Sequence, residues 1–496
     1  MKKRILSWLI IFVIAVTGIN SFLLLYFLAD NTGRNIYLLY YNDQMLFQRG
    51  YYIENTPYLP IALIGTYLKN SGIRVNETEK RLEIDLSVQN IVMADETTTM
   101  FVKEHAGSVF IPLREIESNL YFPLNTTVQF FHSKYSIIGT TIRMYHDMTA
   151  ADPAQVDFYA PKKMIQHREE EKISLAWDYA GTITPSVPAQ KYPGLDILAP
   201  TWFHLITNGG GNVENNGDKG YTDSAHAIGY QVWATITNNM STKGSTAFTT
   251  KTFQNWELLN KSVAQYLFYS CLYDVDGINI DYEDVSDEDA AGLVAFTALL
   301  RNYTQRQGLA LSIDTLIPRP WTIEYDRAAL AEYVDYLVIM TYDEHYSGSK
   351  VAGSVASLPW VEEAVQTTLM EVPASKLLLG IPLYTRIWTV DSEGKVITNP
   401  AAKMPAIRSL MEEKKLTPTW RDTEKQYYIE YPEDPYHTKI WIEDSRSISN
   451  RLNLISKYDL AGAACWQLRQ GEESIWEVFE GMLKENQALS FYQQPY

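Results

Sequence analysis

Cysteine is nearly missing from this chain: Cys271 and Cys465 are the only two in 496 residues. Two thiols make no disulfide framework, and without a CxxC pair no redox or metal motif can be read. The eight histidines include no HExxH, so a helical zinc-hydrolase site is not expected. Basic charge is also short. Lys and Arg number 42 against 59 Asp and Glu, a formal net charge of −17, and no basic stripe overrides that balance. Such a surface repels phosphate backbones, which argues against a nucleic-acid partner. Disorder is excluded by the opposite evidence. Apolar residues make up 46% and charged residues 20%, an ordinary globular composition. Aromatics are plentiful at 13%, with 34 Tyr and 12 Trp. That suits a protein that grips flat sugar rings, and it equally suits a large aromatic core.

Long apolar runs are absent except for one, Ile5 to Leu28. As a helix it would span about 36 Å at 1.5 Å per residue, enough for a hydrocarbon core of about 30 Å. Lys2, Lys3 and Arg4 precede it, which places the N-terminus in the cytoplasm and the remainder outside. A cleaved signal peptide is the alternative, but its apolar region would be about 7–15 residues ending in small side chains. Here the run ends Leu-Leu-Leu-Tyr-Phe-Leu. Residues 1–33 are therefore expected to be a basic stub and an uncleaved single-pass anchor.

Residues 34–146 read as a small α+β domain with a weak internal repeat. Pro60, Ile64 and Leu68 return as Pro112, Ile116 and Leu120, each Pro opening a helical spacing of apolar residues. A strand-like run follows each time, Arg81–Leu86 and Tyr135–Ile138. The segments YLPIALIGTYL and FIPLREIESNL resemble the repeated unit of copper-amine-oxidase N-terminal-like domains, which implies a stalk. No metal-ligand cluster accompanies them, so the resemblance implies no copper. Residues 147–171 are polar and read as a linker.

Eight apolar runs then recur: Ile173–Tyr179, Leu195–Ile206, Tyr230–Thr237, Gly277–Tyr282, Ala310–Leu316, Tyr336–Tyr342, Leu377–Tyr384 and Leu460–Gln467. Most are separated by helical stretches such as Phe253–Leu272 and Ala290–Gln307. Near-continuous Val/Ile/Leu strands alternating with helices indicate parallel strands buried on both faces. Eight of them over residues 172–496 fit an α/β fold, a (β/α)8 TIM barrel. The long stretch at about 389–457 is a small α+β insertion between strands 7 and 8.

The fourth run reads Asp276-Gly-Ile-Asn279-Ile-Asp281-Tyr-Glu283. Strand side chains alternate, so Asn279, Asp281 and Glu283 share one face and Ile278, Ile280 and Tyr282 the other. The Ile face must meet the helices, which leaves the polar three pointing into the barrel at its C-terminal mouth, where this fold keeps its active sites. Two carboxylates two residues apart repel each other's charge and burial adds to that, so one should hold its proton near neutrality. That is how a general acid is made. An acidic strand end could also merely hydrate the rim or bind a hard cation.

The string resembles the DxxDxDxE motif of family 18 glycoside hydrolases, the chitinases and endo-β-N-acetylglucosaminidases. Met340-Thr-Tyr342-Asp343 is similar to the sixth-strand MxYD, Gly380-Ile-Pro-Leu-Tyr384-Thr-Arg386-Ile-Trp388 to the seventh-strand GxPxYxRxW, and Trp466 to the eighth-strand tryptophan. Bacterial spore-cortex and cell-wall N-acetylglucosaminidases resemble it most. The resemblance implies a retaining, substrate-assisted reaction without cofactor or metal. Glu283 would be general acid and base, Asp281 would orient the acetamido N–H, and Tyr342 would hold the acetamido oxygen. Asn279, Met340, Asp343, Tyr384, Arg386 and Trp466 would line the substrate site, with Trp466 as its apolar floor.

Asn279 stands where the family pattern has its middle Asp. An amide cannot share a proton with Asp281, though its NH2 can donate to it, and losing one like charge should lower the pKa of Asp281. Trp177, Trp202 and Trp233 could be sugar platforms or packing, and Cys465 reads as a small core residue. The expectation is a membrane-anchored extracellular glycosidase acting on an N-acetylglucosamine polymer, peptidoglycan or chitin. The alternative is a non-catalytic, lectin-like sugar-binding barrel.

Overall fold

The structure, a computed structural model, describes residues 35–146, 156–157, 172–181, 184–207, 209–240 and 242–493. The expected anchor, Ile5–Leu28, lies outside the described residues, as does the expected linker apart from the short strand Val156–Asp157. Among the described residues no helix is long and apolar enough to cross a membrane.

The chain divides into two compact units, one of residues to Ile91 with Ser108–Val156, the other of Val92–Gly107 with Asp157 onward. In the first, a seven-stranded sheet is ordered Ser133–Ile138, Thr141–His146, Asn35–Tyr41, Gln44–Ile53, Thr56–Pro60, Asn119–Pro123, Arg114–Ile116. A second sheet holds Ile73–Asn76, Arg81–Asp85 and Ser108–Pro112. Leu39, Leu59, Phe122 and Ile142 are fully buried in this unit. The repeat expected from Pro60 and Pro112 holds only in part. Pro60 does open a helical turn, Ile61–Leu63, but Pro112 is followed by the strand Arg114–Ile116. The reason is local. Glu117 and Ser118 adopt positive φ of 50° and 65°, closing a two-residue hairpin to Asn119. Two further hairpins turn at Asn42-Asp43 and Glu54-Asn55 in the same way.

The second unit is the barrel. Its strands are β1 (Ile173–Asp178), β2 (Ile197–Leu205), β3 (Gln231–Thr237), β4 (Gly277–Asp281), β5 (Ala310–Thr315), β6 (Tyr336–Ile339), β7 (Leu377–Pro382) and β8 (Gly462–Trp466). All eight run parallel in chain order, and β1 pairs with both β2 and β8, so the sheet closes on itself. Each of the eight apolar runs contains one of these strands. Their near-continuous burial is what a sheet covered by helices outside and side chains inside requires. The helix Glu96–His105 groups with the barrel, Phe101 stacking on Tyr303 at 4.2 Å between ring centroids and Gln307 donating to Asp95 at 2.8 Å.

After β7 the chain makes a sheet of Val396–Thr398, Trp388–Val390, Tyr436–Ile442, Gln426–Glu433 and Thr419–Arg421. The helix Met404–Lys414 covers it, with Ile407 and Met411 packed on Tyr427, Ile429, Ile440 and Ile442. The expected insertion, 389–457, runs too far at its end. Ser445–Tyr458 is one helix, capped by Asp444, that packs on β7 and β8 through a buried face including Ile448, Leu452 and Ile455, so it is the barrel's own. Its polar face hid that role in the sequence.

Candidate active site

The barrel interior changes character from foot to mouth. At the foot Ile173, Leu175, Trp177, Ile197, Ala199, Trp233, Ala310, Val338, Leu378 and Ala464 form one apolar cluster. Next comes a polar layer in which Thr235, Asn279 and Ser312 stand opposite one another across β3, β4 and β5. Beyond it Asp281 and Asp314 are both buried. Alternation along β4 is as expected: Tyr282 faces outward, stacked on Phe296 at 4.9 Å, and Asp281 faces in.

Glu283 follows β4 and is fixed by its backbone. Asn238, at the end of β3, accepts from the Glu283 N–H at 3.2 Å and donates to its carbonyl at 2.6 Å. Tyr325 donates to the Tyr282 carbonyl at 2.9 Å. Neither residue is in a motif, and only their places just beyond β3 and β5 could have marked them. The carboxyl of Glu283 is pushed up to about 7 by burial and by the charges of Asp284 and Asp343. Asp281 lies well above the usual carboxylate range through burial, Glu283 and Asp314. Tyr342 is half-buried beside the same acids, and desolvation together with their charges holds its hydroxyl in the protonated, donating form.

Three expected site residues meet beside them. Tyr384 donates to Asp343 Oδ1 at 2.7 Å, and Arg386 Nη2 lies 3.6 Å from the same oxygen. Asp343 is about half exposed at the mouth. Met340 is buried after β6, while Trp466 keeps a partly exposed face and lies against Trp177, with ring centroids 5.9 Å apart. Trp177, Trp202 and Trp233 are all at most 1% exposed, so they are packing residues and not sugar platforms. Cys465 is likewise buried in the core.

Asn279 departs from expectation. It is fully buried and its amide is spent on the protein: Oδ1 accepts from Trp177 Nε1 at 2.9 Å and Thr235 Oγ1 at 3.1 Å. Nδ2 donates to Ser312 Oγ at 3.0 Å and Asp314 Oδ1 at 2.8 Å. That is the full complement of an amide, so Asn279 neither reaches a substrate nor donates to Asp281. Nor is Asp281 relieved of a like charge, because Asp314, absent from the sequence reading, supplies one.

Residues 230–471 match the model of the glycosyl hydrolases family 18. Over these residues the chain is similar to the family 18 glycosyl hydrolases. The cortical fragment-lytic enzyme of Bacillus subtilis is 27% identical over 213 residues, covering 41% of this chain and 49% of that protein. The glycosylase YvbX of Bacillus subtilis is 29% identical over 216 residues, covering 41% and 60%. The chain thus spans between about half and three-fifths of the length of these relatives. The solved Bacillus cereus spore cortex-lytic enzyme SleL shares the fold, with a TM-score of 0.56 and 21% identity over 65% of this chain and 75% of that one.

The first Asp of the family 18 string, Asp276, belongs to the foot. Its Oδ2 accepts from Val232 N–H at 2.8 Å and lies 2.7 Å from His226 Nε2. The glycine of the seventh-strand motif has a packing reason: a Cβ at Gly380 would collide with the Ile339 carbonyl of β6. Among the described residues no group of three or more His, Cys, Asp or Glu is placed to hold a metal ion.

Proposed function

We propose that this chain is a membrane-anchored, extracellular glycosidase that cleaves β-1,4 bonds at N-acetylglucosamine, with peptidoglycan favoured over chitin. One observation carries the reading: a half-buried glutamic acid, held at about 7, sits at the barrel mouth beside a buried acid and a half-buried tyrosine. A carboxyl that keeps its proton near neutrality can give it to a glycosidic oxygen. Glu283 donates that proton as the bond to the anomeric carbon breaks. The substrate's acetamido oxygen attacks the same carbon, giving a cyclic oxazolinium-like intermediate with retention after water opens it. Asp281 orients the acetamido N–H and balances its growing positive charge. The Tyr342 hydroxyl donates to the acetamido oxygen and holds it in line. Glu283, now ionised, takes the proton of the incoming water.

Peptidoglycan is supported by the cortex-lytic names of the relatives, and the outside location by Lys2–Arg4 ahead of Ile5–Leu28. The amino-terminal unit, between anchor and barrel in the chain, is the stalk. Tyr179, Trp321 and Tyr346 are more than half exposed on segments that leave β1, β5 and β6 at the mouth, and suit stacking against sugar rings.

The test is digestion of purified peptidoglycan and of chitin oligomers by the full chain, with mass spectrometry of the products. Fragments with retained stereochemistry ending in N-acetylglucosamine are expected. Binding without release from any such polymer would instead make this a sugar-binding barrel.

A further inference from the structure

The mouth holds a buried carboxylate that the reaction above does not employ. Asp314 is 1% exposed on β5 and shares the inward face of Ala310 and Ser312. Its two oxygens are treated differently. Oδ1 accepts the Asn279 amide at 2.8 Å, whereas Oδ2 is buried with no hydrogen-bond partner among the described residues. An ionised oxygen abandoned in a dry interior is costly, while a protonated one needs only an acceptor.

The strand register supplies that acceptor. β4 and β5 run parallel with Asn279 opposite Ser312 and Ile280 opposite Ile313. One step further along brings Asp281 beside Asp314, on neighbouring strands about 4.8 Å apart. The titratable groups acting on this pair are Glu283 after β4, Tyr325 after β5, Tyr342 after β6 and, through Tyr342, Tyr384 after β7. They are acids and phenols throughout. A pair of carboxyls so surrounded keeps one proton between them.

We infer that Asp314 is the proton-sharing partner of Asp281: its Oδ2–H donates to an Asp281 oxygen while Asn279 fixes Oδ1 from behind. The second carboxylate of this mouth is therefore carried by β5, and the amide by β4. The inference rests on the proposed roles of Glu283 and Asp281. Asp314 touches no reacting atom and is a positioning residue. The pair neither gains nor loses a proton in the cycle. It holds a single negative charge, which lies on Asp281 when the acetamido N–H must be aligned.

Two variants and a spectrum test it. Asp314→Asn should lower kcat at least about tenfold with little change in KM, because the acetamido group is misaligned and not unbound. It should also move the acidic limb of the pH–rate profile to lower pH, since an amide donating to Asp281 favours its ionised form. Exchanging the two groups, Asn279→Asp with Asp314→Asn, keeps one carboxyl and one amide in mutual contact below Asp281 and should recover most of the rate and the original limb. If Asp314→Asn alone fails to fold, the exchange variant carries the test. An exchange variant as inactive as Glu283→Gln would overturn the inference, as would an Asp314→Asn enzyme with wild-type kcat and acidic limb.

The spectrum does not depend on turnover. In Glu283→Gln protein at pH 7, the infrared carboxylic-acid band of the shared proton should be present, and adding Asp314→Asn should remove it. Persistence of the band would refute the pairing even with the catalytic reading intact. If the wild type cleaves no N-acetylglucosamine polymer, the catalytic reading fails while the band still decides the pairing.

Discussion

The barrel carries buried or half-buried carboxylates at both ends, and the two ends treat them in opposite ways. At the foot, Asp196, Asp276 and Asp335 stand just ahead of β2, β4 and β6. Each accepts the backbone N–H of a residue in the preceding strand, Ser174, Val232 and Leu311. Each also has a basic partner: Lys484 at 2.6 Å, His226 at 2.7 Å and Arg301 at 2.8 Å. At the mouth, Asp281, Glu283 and Asp314 are pressed on by one another and by Asp284 and Asp343. The same functional group is thus a strand clasp where donors meet it and a proton store where they do not.

Substitutions at the two ends should therefore have opposite effects. The largest is expected at the mouth. Glu283→Gln keeps the size of the side chain but has no acid proton to give, so turnover should fall by at least about 10²-fold. Binding of an N-acetylglucosamine oligomer, followed by calorimetry, should persist. Asp281→Asn should slow turnover by about tenfold or more, because the acetamido N–H loses its charged partner. At the foot, Asp276→Ala should cost about 1–3 kcal/mol of stability by leaving the Val232 N–H without its acceptor. Its kcat should stay within about twofold of wild type, and urea unfolding beside steady-state kinetics checks both halves.

A further effect concerns the stability of the mouth itself. The carboxyl of Glu283 lies at about 7 when folded, above its ordinary 4.5, so the folded chain binds more protons between those values. Stability should fall as pH rises through that window, by up to about 3 kcal/mol from this group. Glu283→Gln does not titrate in this window. It should be more stable than wild type at pH 8, with the difference shrinking toward pH 5.

Most of the barrel was legible because parallel strands buried on both faces write continuous Val/Ile/Leu runs, and the motif string fixed which face of β4 looks inward. The end of the insertion was not, because Ser445–Tyr458 shows an amphipathic pattern that serves equally well for an inserted helix and a barrel helix. Asp281, Glu283 and Tyr342 could be found because they are close in sequence to strand ends with a recognisable spacing. Asp314 could not: a single Asp in Leu311-Ser-Ile-Asp314-Thr reads as a strand-end acid until β4 is laid beside it. The same holds for Asn279, whose four hydrogen bonds reach β1, β3 and β5 and are invisible along one strand.

The proton on Glu283 can be observed directly. Carbon-13 labelling of the glutamate carboxyls, with Glu283→Gln to assign the resonance, gives its titration midpoint by NMR in the uncomplexed chain. A midpoint near 7 is expected if burial among uncompensated acids sets its state. A midpoint near the ordinary glutamate value of 4.5 would mean that Glu283 is ionised at neutrality, and that the mouth stores no proton for a glycosidic oxygen.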